Sequence, residues 1–90
     1  MIESESKFIL LLSSEQCPAC KIAKPIYKDF FKDEPLFVEI DAKQDPTFAK
    51  LYGIRSIPTL LFIVDTKEDN RISGIPTKDE LIELYEKWKC

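Results

Sequence analysis

The 90-residue sequence predicts an α/β domain in the order βαβαββα, with a four-stranded mixed sheet flanked by helices. Three observations carry that reading. Runs of strand length and apolar character occur at Lys7 to Leu12, Leu36 to Asp41 and Thr59 to Val64. Apolar residues recur at helical spacing between the first two runs and again after the last. Pro, Gly, Asp and Thr fall where helices and turns must begin or end.

Lys7 to Leu12 ends in Ser13 and Ser14 and has the pattern of a central strand buried on both faces. In the helix that follows, Ile22, Ala23, Ile26, Tyr27, Phe30 and Phe31 define a core face, and Lys21, Lys24, Lys28 and Lys32 define a solvated one. A strand at Leu36 to Asp41, reached through this helix, implies a parallel crossover. Asp45 as N-cap, Pro46 in the first helical position and Gly53 beyond the end delimit a short helix. Thr59 to Val64 is the third strand. Arg71 to Gly74 is a weak fourth, antiparallel to it across a polar hairpin at Asp65 to Asn70. Thr77 with Glu80 forms a capping box after Pro76, and Leu81, Leu84, Tyr85 and Trp88 give the last helix its apolar stripe. Residues 1–90 leave room for one domain only.

Thirteen basic against sixteen acidic residues, with no His, give a net charge of −3, which argues against a phosphate-binding surface and hence against nucleic acid. The N-terminal apolar run, Phe8 to Leu12, which no other run exceeds, is far shorter than the roughly 20 residues of a membrane span or the about 7 to 15 of a signal core, and an acidic stretch precedes it. A cytoplasmic monomer is expected. Three cysteines are too few for a disulfide-scaffolded secreted domain, so their spacing carries the information.

Cys17 and Cys20 stand at i and i+3 where the first strand meets the first helix. With Cys17 at the N-cap and Pro18 in the first helical position, the Cys17 sulfur faces the free amides of Ala19 and Cys20 and the positive end of the helix dipole. A thiolate is stabilised there, which makes Cys17 the expected nucleophile. It attacks a substrate disulfide, and Cys20 then resolves the mixed disulfide by attacking Cys17. Two blander readings compete: a zinc half-site, for which only Cys90 remains as a further soft ligand, and a pair of idle core thiols. Cys90, at the chain end, is expected to have no catalytic role.

Cys17-Pro18-Ala19-Cys20-Lys21 with Pro25, and Tyr52-Gly53-Ile54-Arg55-Ser56-Ile57-Pro58-Thr59 before an apolar strand, resemble the thioredoxin family from about Phe8 to Trp88. The resemblance implies a thioredoxin fold that lacks the N-terminal strand and helix of longer members, as in glutaredoxins and short thioredoxins. It implies a cis bond before Pro58, which lies against the cysteines, and a backbone at Ile57 that pairs with substrate. Pro18, Ala19, Ile57, Pro58 and Lys21 are therefore expected to contact disulfide-containing protein substrates. No cofactor is implied beyond the reversible Cys17–Cys20 disulfide.

The departures also inform. Gln16 stands where thioredoxins have Trp, and Leu11 where they have a buried Asp; the Lys that supports that acid aligns near Phe37. Deprotonation of Cys20 then falls to water or another carboxylate such as Glu39. Pro directly after the first cysteine is the glutaredoxin pattern, yet the Gly-Gly and Asp that hold glutathione are not seen after Gly74. Thioredoxin reductase or glutathione is the expected electron source. The alternatives to a thioredoxin-like reductase are a glutathione-dependent, glutaredoxin-like enzyme and a redox-inert module that adds a peptide strand beside Pro58.

Overall fold

The computed structural model describes residues 7–90; the acidic stretch before Lys7 lies outside them. The elements are β1 (Lys7–Ser13), α1 (Pro18–Phe30), β2 (Phe37–Asp41), α2 (Thr47–Leu51), β3 (Thr59–Val64), β4 (Lys67–Ser73) and α3 (Lys78–Lys89). The sheet runs β2-β1-β3-β4. β1 pairs in parallel with β2 and antiparallel with β3, and β3 pairs antiparallel with β4. The expected order and mixed sheet are both present.

Alternation along the two central strands separates two apolar layers. Ile9 and Leu11 of β1 join Leu60 and Phe62 of β3 beneath Ala23, Tyr27 and Phe31 of α1 and Leu81 and Trp88 of α3. Leu10 and Leu12 join Leu61 and Ile63 on the other face, against Phe48 and Ala49 of α2. Each fully buried Leu, Ile or Phe contributes about 1.5–3 kcal/mol. The edge strand β2 is anchored by Phe37, whose ring stacks on Phe31 at 5.2 Å.

Four details correct the sequence reading. β4 begins at Lys67, not Arg71, and the connection is two residues long: Asp65 and Thr66 both take positive φ, +54° and +66°. Such a primed turn matches the strand twist and lets the hairpin zip further than its polar sequence suggests. Ile22 and Ile26 are 57% and 38% exposed, because the sheet covers only the stripe through Cys20, Ala23, Tyr27 and Phe31. Lys24, assigned to the wet face, is instead half-buried in an ion pair with Glu39. α2 starts one residue late, with Pro46 at its cap and the Asp45 carboxylate accepting the Thr47 amide. Gly53, at φ +65°, closes α2 as expected; Ile54 N–H returns to Ala49 C=O at 2.7 Å and Gly53 N–H to Lys50 C=O at 3.4 Å.

α3 begins as its sequence predicts. Thr77 Oγ1 accepts the Glu80 amide and the Glu80 carboxylate accepts the Thr77 amide. Among the described residues no helix is long and apolar enough to cross a membrane.

Candidate active site

The carboxyl ends of the parallel strands β1 and β2 and the start of α1 meet at one edge of the molecule, the usual place for a site in such a sheet. Cys17 is the N-cap of α1, with extended backbone, and Pro18 opens the first turn. Its Sγ accepts the Cys20 amide at 3.2 Å, and its thiol donates toward the Ile57 carbonyl at 3.6 Å. Cys17 is partly exposed and Cys20 fully buried.

This placement drives the two thiols apart. A hydrogen bond from the Cys20 thiol is the main influence holding the Cys17 thiol below its ordinary range; burial opposes it, and the Cys20 and Ala19 amides and the Lys43 ammonium assist. Cys20 is pushed up to about 11, by burial first and by its hydrogen bond to Cys17 second, with the Ser14 backbone and the Lys24 charge pulling the other way. One thiol is partly exposed and lowered; the other is buried and raised.

The remaining sequence-nominated residues gather unevenly. Pro18 and Ala19 form the rim beside Cys17, exposed and partly buried respectively. The Ile57–Pro58 bond is cis, and Ile57 lies against Cys17 through its carbonyl. The Pro58 carbonyl accepts the Gly74 amide at 2.8 Å, and the Gly74 carbonyl accepts the hydroxyl of buried Tyr27 at 2.8 Å, so the loop that carries Pro58 is tied back to α1. Lys21 is exposed and lines a recess of ≈ 380 Å³ with Ser14, Glu15, Lys24, Pro25 and Lys28.

The side-chain cation that acts on Cys17 is Lys43, which the sequence reading missed. Its Nζ donates to Gln16 Oε1 at 3.2 Å, bringing the β2–α2 loop against the residue before the nucleophile. The available signal was topological: parallel β1 and β2 deliver the segments after both strands to the same edge.

Glu39 is also placed. It pairs in register with Leu11, on the sheet face that α1 covers. Its carboxylate meets Lys24 Nζ at 2.9 Å and Lys28 Nζ at 3.6 Å, and accepts the Ser13 hydroxyl at 3.5 Å. Burial alone would raise its pKa, but the two lysines outweigh that and hold it below the usual carboxylate range. Leu11, in the place of a buried acid, is fully buried in the core, and Phe37 packs in the same apolar layer.

The thioredoxin family model matches residues 1–87. The chain is 37% identical over 87 residues to a thioredoxin of Mycoplasmoides gallisepticum, covering 93% of this chain and 86% of that one. It is 32% identical over 82 residues to a thioredoxin of Methanocaldococcus jannaschii, covering 88% and 92%. The crystal structure of Fasciola hepatica thioredoxin superposes with a TM-score of 0.76 at 26% identity, over 90% of this chain and 79% of that one. With the family model matching residues 1–87 and a thioredoxin 37% identical over most of both chains, the chain belongs to the thioredoxin family.

Proposed function

We propose that the chain reduces protein disulfides by dithiol exchange, with Cys17 as nucleophile and Cys20 as resolving thiol. The observation that carries this reading is the opposed character of the two sulfurs. Cys17 sits at the start of α1 with an amide aimed at it, and Cys20 is buried one turn below with its thiol raised to about 11. The Cys17 thiolate attacks one substrate sulfur and the other leaves as a thiolate. Cys20 then loses its proton and attacks Cys17, the mixed disulfide breaks, and the Cys17–Cys20 disulfide and reduced substrate result. A donor dithiol reverses the last state, and no other cofactor enters.

In this reading Pro18, Ala19, Ile57 and Pro58 form the surface that an extended substrate segment crosses, with Lys21 at its margin. Electrons come from thioredoxin reductase, and the protein acts as a monomer in the reducing cytoplasm. The test is insulin-disulfide reduction, run in parallel with NADPH plus thioredoxin reductase and with glutathione plus glutathione reductase. Turnover with the first, lost in Cys17→Ser, is expected. Turnover with glutathione alone would move the protein to the glutaredoxin-like reading. No turnover with either, despite binding of a disulfide protein, would make it a redox-inert module. Cys20→Ser is expected to accumulate mixed disulfides through Cys17.

A further inference from the structure

The second step of exchange asks the most of the fold, because a fully buried thiol must become a thiolate. Leu11, fully buried in the apolar layer beneath α1, offers no proton acceptor, so the help must come from elsewhere. Lys24 follows Cys20 by four residues on α1, one turn along the same helix face. Its ammonium is drawn in against the sheet by the Glu39 carboxylate at 2.9 Å, and its side chain is only 29% exposed. Glu39 is held in turn by Lys28 and the Ser13 hydroxyl, and its register opposite Leu11 sets it beneath α1.

We propose that Lys24, anchored by Glu39, is the positioning residue that stabilises the Cys20 thiolate during resolution. The inference rests on the dithiol-exchange reading above. The other titratable or charged groups around this cluster are Cys17 at the start of α1, Lys28 one turn further on, Glu15 in the loop before α1 and Glu39 on β2; β3 contributes none among the described residues. Among the described residues Lys24 alone of the charged side chains pulls Cys20 toward its thiolate, and Glu39 first, then Glu15 and Cys20, hold Lys24 in its charged form. Glu39 serves as anchor: with two lysines on it, its carboxyl is a weaker proton acceptor than an unpaired one. In the step, the Cys20 S–H bond and the Cys17–substrate S–S bond break and the Cys17–Cys20 bond forms. The proton and the substrate thiolate leave together as a thiol.

The test uses the full chain with Cys90→Ser, which removes the exposed third thiol. Stopped-flow reaction with the aromatic disulfide DTNB releases one thionitrobenzoate when Cys17 attacks and a second when Cys20 resolves. Lys24→Met is expected to leave the first phase unchanged, to move the pH midpoint of the second up by about half to one unit, and so to slow it about threefold to tenfold at neutral pH. Lys24→Arg restores the rate. Glu39→Gln slows the second phase less than Lys24→Met, since the ammonium stays but is no longer anchored. An identical second phase in Lys24→Met overturns the proposal. A larger loss in Glu39→Gln than in Lys24→Met also overturns it and assigns the role to the carboxylate as a base. Absence of the first phase in the parent protein overturns the exchange reading itself, which keeps the two failures apart.

Discussion

Replacing Cys20 by Ala tests how the nucleophile is activated, because it removes the largest influence lowering the Cys17 pKa and leaves the rest in place. The lost contact is the hydrogen bond from the Cys20 thiol. Retained are the residue-20 amide at 3.2 Å, the Ala19 amide and the Lys43 charge. A hydrogen bond to a charged acceptor contributes about 1.5–3 kcal/mol, but a thiol is a weak donor, so roughly half of that applies here. About 0.7–1.4 kcal/mol corresponds to half to one pKa unit. Below its midpoint, the Cys17 thiolate fraction should therefore fall about threefold to tenfold. The assay is the rate of alkylation of Cys17 by iodoacetamide against pH, in a Cys90→Ser background, with far-UV circular dichroism to verify the fold. Cys20→Ser keeps a hydroxyl donor, and its midpoint should stay within a few tenths of the parent. A Cys20→Ala midpoint equal to or below the parent's would refute the account, leaving helix start, amides and Lys43 as the whole source of activation.

Lys43→Met should raise the same alkylation midpoint by less than Cys20→Ala does, and the difference should vanish near 1 M salt, because Lys43 is exposed and acts through screened solvent. Tyr27→Phe removes a buried hydroxyl from the Gly74 carbonyl and should cost about 1 kcal/mol in urea unfolding with no change in the Cys17 midpoint; a shifted midpoint would show that the tie reaches the nucleophile. Glu39 has a lowered folded-state pKa, so its contribution to stability is present above the ordinary carboxylate range and is lost as pH falls through the folded value. The stability gap between parent and Glu39→Gln should accordingly be open at pH 7 and close toward pH 3, and a gap independent of pH would remove the ion pair as its cause.

What could be read from the sequence was what local geometry decides. A cysteine before a proline at a strand-to-helix junction is placed at the N-cap by dihedral and hydrogen-bond constraints that reach only a few residues, and it is found there. The Thr77–Glu80 box is local in the same sense. β4 was not legible before Arg71 because Lys67 to Asn70 are all polar and give no apolar alternation to read, and Asp65-Thr66 lacks the Asn-Gly signal of a primed turn. Ile22 and Ile26 have the right periodicity, but how wide a stripe of α1 the sheet covers follows from its docking, which no window of sequence contains. Lys24 looked like an ordinary solvated lysine and Lys43 was not singled out at all, for the same reason. Their partners, Glu39 and Gln16, become neighbours only once β1 and β2 are set in parallel register.

The hydrogen bond between the two sulfurs also orders the reaction in time. While Cys17 is a thiolate it draws the Cys20 proton toward itself, so Cys17 is lowered and Cys20 raised by one contact, and only Cys17 attacks. Once Cys17 is in a mixed disulfide its sulfur carries no charge and is a poor acceptor. Both the hydrogen bond and the charge repulsion that Cys17 imposed on Cys20 are then gone. What still opposes the Cys20 thiolate is burial, and against burial stand the Ser14 backbone and Lys24. Cys20 thus becomes more acidic at the moment its attack is required, and the first step sets up the second. The lysine matters most in that interval, when the neighbouring sulfur has been neutralised and burial is the obstacle left.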